Sequence, residues 1–120
     1  MIDIQLGQGD SDNIPVILNE AGVGSDLTGA VVKLILSDLA GTFKFEIICL
    51  EGIRDPITDE IITEFSAGGI TVPIAGIHTV DDGYSYGEFI VTISNRQVTF
   101  LNGDTYFVMN VIKKLENSGG

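Results

Sequence analysis

The sequence predicts an all-β fold: a single domain of two packed antiparallel sheets, a β-sandwich with about eight or nine strands. Three observations lead there. First, 17 Ile, 10 Val and 9 Thr make 36 of the 120 residues β-branched, against only five Ala. Side chains branched at Cβ are stiff at χ1 and suit a pleated surface better than a helix. Second, apolar and polar residues alternate with period two over several short runs. Third, fifteen Gly supply turns between those runs, and no run reads as a helix.

The elements follow in chain order. Ile2-Asp3-Ile4-Gln5-Leu6 alternates strictly, so Ile2, Ile4 and Leu6 share a face. Gly7 to Asn13 is turn chemistry. Ile14 to Leu18 is a second strand, and Pro15 marks it as an edge or an entry point. Residues 19–29 read as a polar loop. Ala30 to Leu36 is apolar on both faces apart from Lys33, the pattern of a well-buried strand. After a connector at 37–42, Phe43-Lys44-Phe45-Glu46-Ile47 alternates again and runs into Ile48-Cys49-Leu50. Residues 51–58 read as loop. Ile61 to Phe65 and Ile70 to Ile74 are short strands around Ser66-Ala67-Gly68-Gly69, and 75–85 is mostly loop. Phe89, Val91 and Ile93 share a face of the next strand. Asn95-Arg96 is expected to turn into Val98-Thr99-Phe100, and Asn102-Gly103 is a type I′ hairpin signal. The last strand, Thr105 to Lys114, sets Phe107, Met109 and Val111 on one face. Residues 1–115 are read as one domain and 116–120 as a flexible tail.

Charge excludes several classes of function. Seventeen Asp and Glu against six Lys and Arg give −11. That balance argues against nucleic acid, whose affinity comes from cationic neutralisation of phosphates, and against anionic membrane surfaces. Residues 1–32 and 55–95 hold five and seven acids and no Lys or Arg. Such a surface keeps a domain soluble and suits a cationic partner or divalent ions. No apolar run approaches the about 20 residues of a spanning helix. Met-Ile-Asp-Ile-Gln lacks the features of a secretory leader, so the chain is expected to stay in a cytosol or leave by a route other than secretion.

Candidate chemistry is sparse. One Cys and one His exclude an internal disulfide, a multi-Cys zinc site and a His-rich metal site. His78 has Ser66, Thr79 and Asp81 near it in sequence, but no motif ties them into a nucleophile–base–orienter set, so His78 reads as a loop histidine and the chain as a non-enzyme. Cys49 sits in an apolar strand and reads as core. Asp10, Asp12, Asp81 and Asp82 are the candidate metal ligands, since sandwich-end loops can pool oxygen ligands for calcium. Turn-forming Asp capping local N–H groups is the competing explanation. No cofactor is indicated. Tyr84, Tyr86, Arg96 and Tyr106 are the candidate interface residues, because aromatic and Arg side chains are enriched at interfaces.

Three stretches carry a resemblance: Gly9-Asp10, Asp26-Leu27-Thr28-Gly29-Ala30 with the apolar strand that follows, and Gly83-Tyr84-Ser85-Tyr86-Gly87-Glu88-Phe89, with Val98-Thr99-Phe100 as a late Thr-Phe strand. Together they resemble the immunoglobulin-like N-terminal domain of phage upper baseplate proteins and related small virion domains, over about residues 7–112. The stretch 51–69 is longer and more irregular than that pattern, and no fibre or coiled coil follows. The antibody-type Cys, Trp, Cys hallmark is also missing. The resemblance implies a stand-alone structural or adaptor protein of a phage particle (baseplate, tail, head fibre or capsid surface). It would be assembled in the bacterial cytoplasm, released at lysis, and act by homo-oligomerising and docking on other virion proteins. A calcium-assisted ligand- or carbohydrate-binding module, using the acidic loops with Tyr84 and Tyr86, is the alternative.

Overall fold

The computed structural model describes residues 2–20, 23–100 and 106–114. Thirteen strand segments run through them: β1 (Ile2–Gly7), β2 (Asp12–Ile17), β3 (Asn19–Glu20), β4 (Val23–Gly24), β5 (Val31–Ser37), β6 (Phe43–Ile48), β7 (Leu50–Glu51), β8 (Ile53–Arg54), β9 (Ile61–Thr63), β10 (Gly69–Ile74), β11 (Gly83–Ile93), β12 (Arg96–Phe100) and β13 (Phe107–Ile112). Two short 3-10 turns lie at Phe65–Ala67 and Gly76–Thr79. The chain is all-β, and its sheets form a sandwich. The larger sheet has the order β1-β13-β11-β5-β6, with β12 also on β11. The smaller has the order β2-β10-β7. Two-stranded ribbons β3-β4 and β8-β9 stand beside them.

Alternation dictates the core. On the larger sheet Val32, Leu34, Leu36, Ile47, Phe89, Val91, Phe107, Met109 and Val111 point inward. On the smaller sheet Ile14, Val16, Ile70, Val72 and Ile74 meet them in one cluster. Phe89 and Phe107 pack edge to face at 6.0 Å, a favoured aromatic geometry. Both sit beside Gly87, where a Cβ would lie 2.7 Å from Leu34 Cδ1 and 3.2 Å from Phe107 Cβ. Cys49 is core, as expected, and burial pushes its thiol up to about 12.

Several expectations need correction. The sandwich is not wholly antiparallel: β1 pairs with β13 in parallel, Ile4 opposite Met109. The first and last strands need no hairpin between them, so nothing local forbids the parallel pairing. Strand segments exceed eight or nine because stretches read as loop contain short ones: β3 and β4 in 19–29 and β8 in 51–58, while β9 falls in the expected strand Ile61 to Phe65. β5 buries one face only; Val31 is half exposed and Lys33 faces outward beside Glu46, 3.6 Å away. A two-layer sandwich leaves each sheet one solvent face. The hairpin between β11 and β12 turns on Ser94-Asn95, not Asn95-Arg96. Ile93 pairs with Arg96, and φ is +46° and +68° at Ser94 and Asn95, the two positive φ values of a type I′ turn.

β12 and β13 behave as one interrupted partner of β11. Paired residue numbers sum to 189 along β12 (Phe89 with Phe100) and to 194 along β13 (Gly87 with Phe107). The two registers on β11 thus differ by five. Asn102-Gly103, the expected tight turn, and the tail 116–120 lie outside the described residues.

Candidate functional site

The three sequence stretches that carry the resemblance are turns and packing points. In Asp26-Leu27-Thr28-Gly29-Ala30 the Asp26 carboxylate accepts the Thr28 N–H at 3.0 Å and its hydroxyl at 2.6 Å. Both donors hold that carboxyl below its usual range. Gly29 takes φ +82°, and Leu27 plugs the core. At Gly9-Asp10 the Asp10 carboxylate accepts the Lys114 ammonium at 2.6 Å and the Gly7 N–H at 3.1 Å. These bonds, the lysine's first, hold its carboxyl low. Thr79 is fully buried, and its hydroxyl donates to the Asp10 carbonyl at 2.7 Å. That bond ties the first turn to the second 3-10 turn.

Of the candidate catalytic and metal residues, His78, Asp10 and Asp12 take part in such bonds. His78 Nδ1 accepts the Ala75 N–H at 2.9 Å, and its ring stands edge-on to Phe45 at 5.1 Å. Partial burial lowers its pKa. Asp12 Oδ1 accepts the N–H of Asn13 at 2.8 Å. Asp81 and Asp82 lie exposed ahead of β11. Among the described residues no group of three or more His, Cys, Asp or Glu could hold a metal ion. No helix among them is long and apolar enough to cross a membrane.

The fold also builds three surface hollows or grooves. The outer face of the larger sheet carries a tyrosine ladder. Tyr84 and Tyr86 are two apart on β11 and share a face. Their rings stack at 6.3 Å, and Tyr86 stacks on Tyr106 at 6.4 Å. Beside the ladder, Tyr86, Tyr106, Glu88, Ile35, Asp38 and Leu39 line an open hollow of about 330 Å³. Arg96 lies elsewhere. It is seven β11 residues further along, roughly 24 Å at strand rise, opposite Ile93 on the β11–β12 hairpin. There Val91, Ile93, Arg96 and Val98 line a small apolar hollow. These side chains have inward parity, yet Ile93 and Val98 are exposed. The third surface is the outer face of that smaller sheet. Pro15, Thr71 and Leu50 form one row across it, and with Ile62, Pro56 and Arg54 they line a groove of about 500 Å³.

Of the four candidate interface residues, the fold brings Tyr84, Tyr86 and Tyr106 together and places Arg96 on another surface. Sequence reading missed Asp38, Leu39, Glu88 and the groove. Glu88 and Ile35 were findable in part: their parity is opposite to Phe89 and Leu34, so they must face outward once those face in. The groove depends on the β8–β9 ribbon, which no alternation announces.

No protein-family model matches the chain, and no curated protein matches it. Its fold, however, is similar to a solved one. The N-terminal domain of phage TP901-1 ORF48 aligns over 90% of this chain and 82% of that one, at a TM-score of 0.57 and 12% identity. At that identity the likeness is one of fold.

Proposed function

We propose that this chain is a non-enzymatic structural or adaptor protein of a bacteriophage particle, acting by self-association and by docking on other virion proteins. The observation that carries this reading is the fold shared with a phage ORF48 domain over nine-tenths of the chain. The surfaces support it. Ile17, Leu50, Ile57, Ile61 and Ile62 are all exposed around the smaller sheet, and exposed apolar patches mark interaction sites. Edge strands β6 and β2 offer unpaired backbone groups that can template strand addition.

We read the sandwich as immunoglobulin-like. An immunoglobulin variable-type domain opposes a G-F-C-C′ sheet to a B-E-D sheet. Here β13-β11-β5-β6 opposes β2-β10-β7, and each set falls in the matching chain order. The β8–β9 ribbon is an addition to that plan.

Size-exclusion chromatography with light scattering tests the reading. A closed symmetric oligomer, at a small integer multiple of 12.8 kDa, is the expected result. A strict monomer at high concentration that forms no complex with any purified virion protein would overturn it.

A further inference from the structure

The hollow beside the tyrosine ladder has a chemistry that selects its occupant. Its floor is Ile35 and Ser37 of β5 with Tyr86 and Glu88 of β11. Tyr106 and the turn between β5 and β6, with Asp38 and Leu39, form its walls. The lining contains two carboxylates and no Lys or Arg. Glu88 is exposed, and its carboxylate has no hydrogen bond or ion pair among the described residues. Asp38 uses Oδ1 to accept the Thr42 N–H at 2.9 Å, which leaves Oδ2 open. The lysines that could neutralise the hollow are engaged elsewhere: Lys33 with Glu46 at 3.6 Å, and Lys44 with the Ser85 hydroxyl at 2.8 Å.

We infer that this hollow is a socket for a cationic side chain, an arginine or lysine presented by a protein partner. The inference rests on the docking reading above. Tyr106, an end ring of the ladder, lines the hollow, and aromatic rings attract cations through their quadrupole; the Asp38 and Glu88 carboxylates in the same lining add charge complementarity. Shape favours a protruding side chain: small-ligand pockets enclose most of their guests, whereas this hollow of about 330 Å³ lies open on a sheet face. The chain's charge of −11 also favours encounter with a basic partner.

The test is a ¹H–¹⁵N NMR titration of the full chain with N-acetyl-arginine amide, alongside its uncharged isostere N-acetyl-citrulline amide. The arginine compound should shift Ile35, Asp38, Tyr86 and Glu88 at millimolar concentration, and high salt should reverse the shifts. Citrulline amide should leave those signals in place. Glu88→Gln, at an exposed position, should weaken binding about three- to fivefold, the worth of a solvent-facing ion pair. No shift, equal shifts from citrulline amide, shifts concentrated on the Asp81-Asp82 segment, or undiminished binding by Glu88→Gln would each overturn the inference. An oligomer in the scattering experiment without arginine binding would remove the socket and leave the docking reading standing. A strict monomer that forms no complex with any purified virion protein, yet binds arginine, would remove the docking reading and leave the cation-binding chemistry of the hollow standing.

Discussion

Replacing Gly69 by Ala is expected to loosen the smaller sheet more than any other single-methyl addition in the strands. Gly69 opens β10, opposite Ile17 of β2. A Cβ there would lie 2.6 Å from the Thr63 carbonyl oxygen, 2.9 Å from Thr63 Cγ2 and 3.1 Å from the Glu64 carbonyl. Real Cβ contacts essentially never fall under 3.0 Å, so the Thr63 backbone must withdraw by at least 0.4 Å, the gap between 3.0 and 2.6. It is poorly placed to do so, because Thr63 is paired with Ile53 in the β8–β9 ribbon. Overpacking of this kind costs about 1–3 kcal/mol. Loss of glycine's freedom in the unfolded chain returns about 0.4–1 kcal/mol. The net cost is about 1–2 kcal/mol, or a fall in Tm of roughly 3–10 °C for a domain of this size. Gly87→Ala is the control. Its two nearest obstacles are the tips of Leu34 and Leu36 at 2.7 and 3.0 Å, which can turn aside. Its net cost should stay within about 1 kcal/mol of zero, after the same entropic return. Urea unfolding followed by circular dichroism measures both. Gly87→Ala proving the more damaging, or Gly69→Ala proving neutral, would refute the packing argument.

Other outcomes follow from the same geometry. Cys49, with its thiol pushed up to about 12, should ignore Ellman's reagent at pH 8 while folded and react fully in denaturant. The lowered pKa of His78 means the unfolded chain binds the proton more readily. Its contribution is therefore complete above the usual 6.5 and is lost as pH falls through the lowered folded value; His78→Gln should flatten that part of the stability–pH curve. Millimolar calcium should leave Tm unchanged, because Asp10 already holds Lys114 and the Gly7 N–H. A rise reversed by chelator would reinstate the acidic loops as a metal site.

The strands that read clearly in the sequence are those whose alternation survives in the core: Phe107, Met109 and Val111 of β13, and Leu34 and Leu36 of β5. Cys49 was legible for the same reason. Pairing was not. The parallel β1–β13 contact joins residues about a hundred positions apart, and period-two alternation says which face a residue takes but not which strand lies beside it. Of the β8–β9 ribbon, β9 was legible as the strand Ile61 to Phe65, but β8 and the pairing were hidden for a local reason. The ribbon's turn is made by the Asp55 carboxylate accepting the N–H groups of Ile57 and Thr58, bonds that hold that carboxyl low. Asp-Pro sequences of that kind serve equally in an open loop. The contact surfaces were half legible. The tyrosines stood out by residue type, while Glu88 and Asp38 became partners of the ladder only when β5 and β11 were set side by side with Glu88 opposite Ile35.

The central claim is that the chain is a built-in part of a phage particle. Quantitative peptide mass spectrometry of density-purified phage particles tests this proposal most directly. The account predicts its peptides at a fixed ratio to a known tail or capsid protein, retained through high-salt washing. Absence from purified particles, with the chain abundant in the infected-cell lysate, would contradict it.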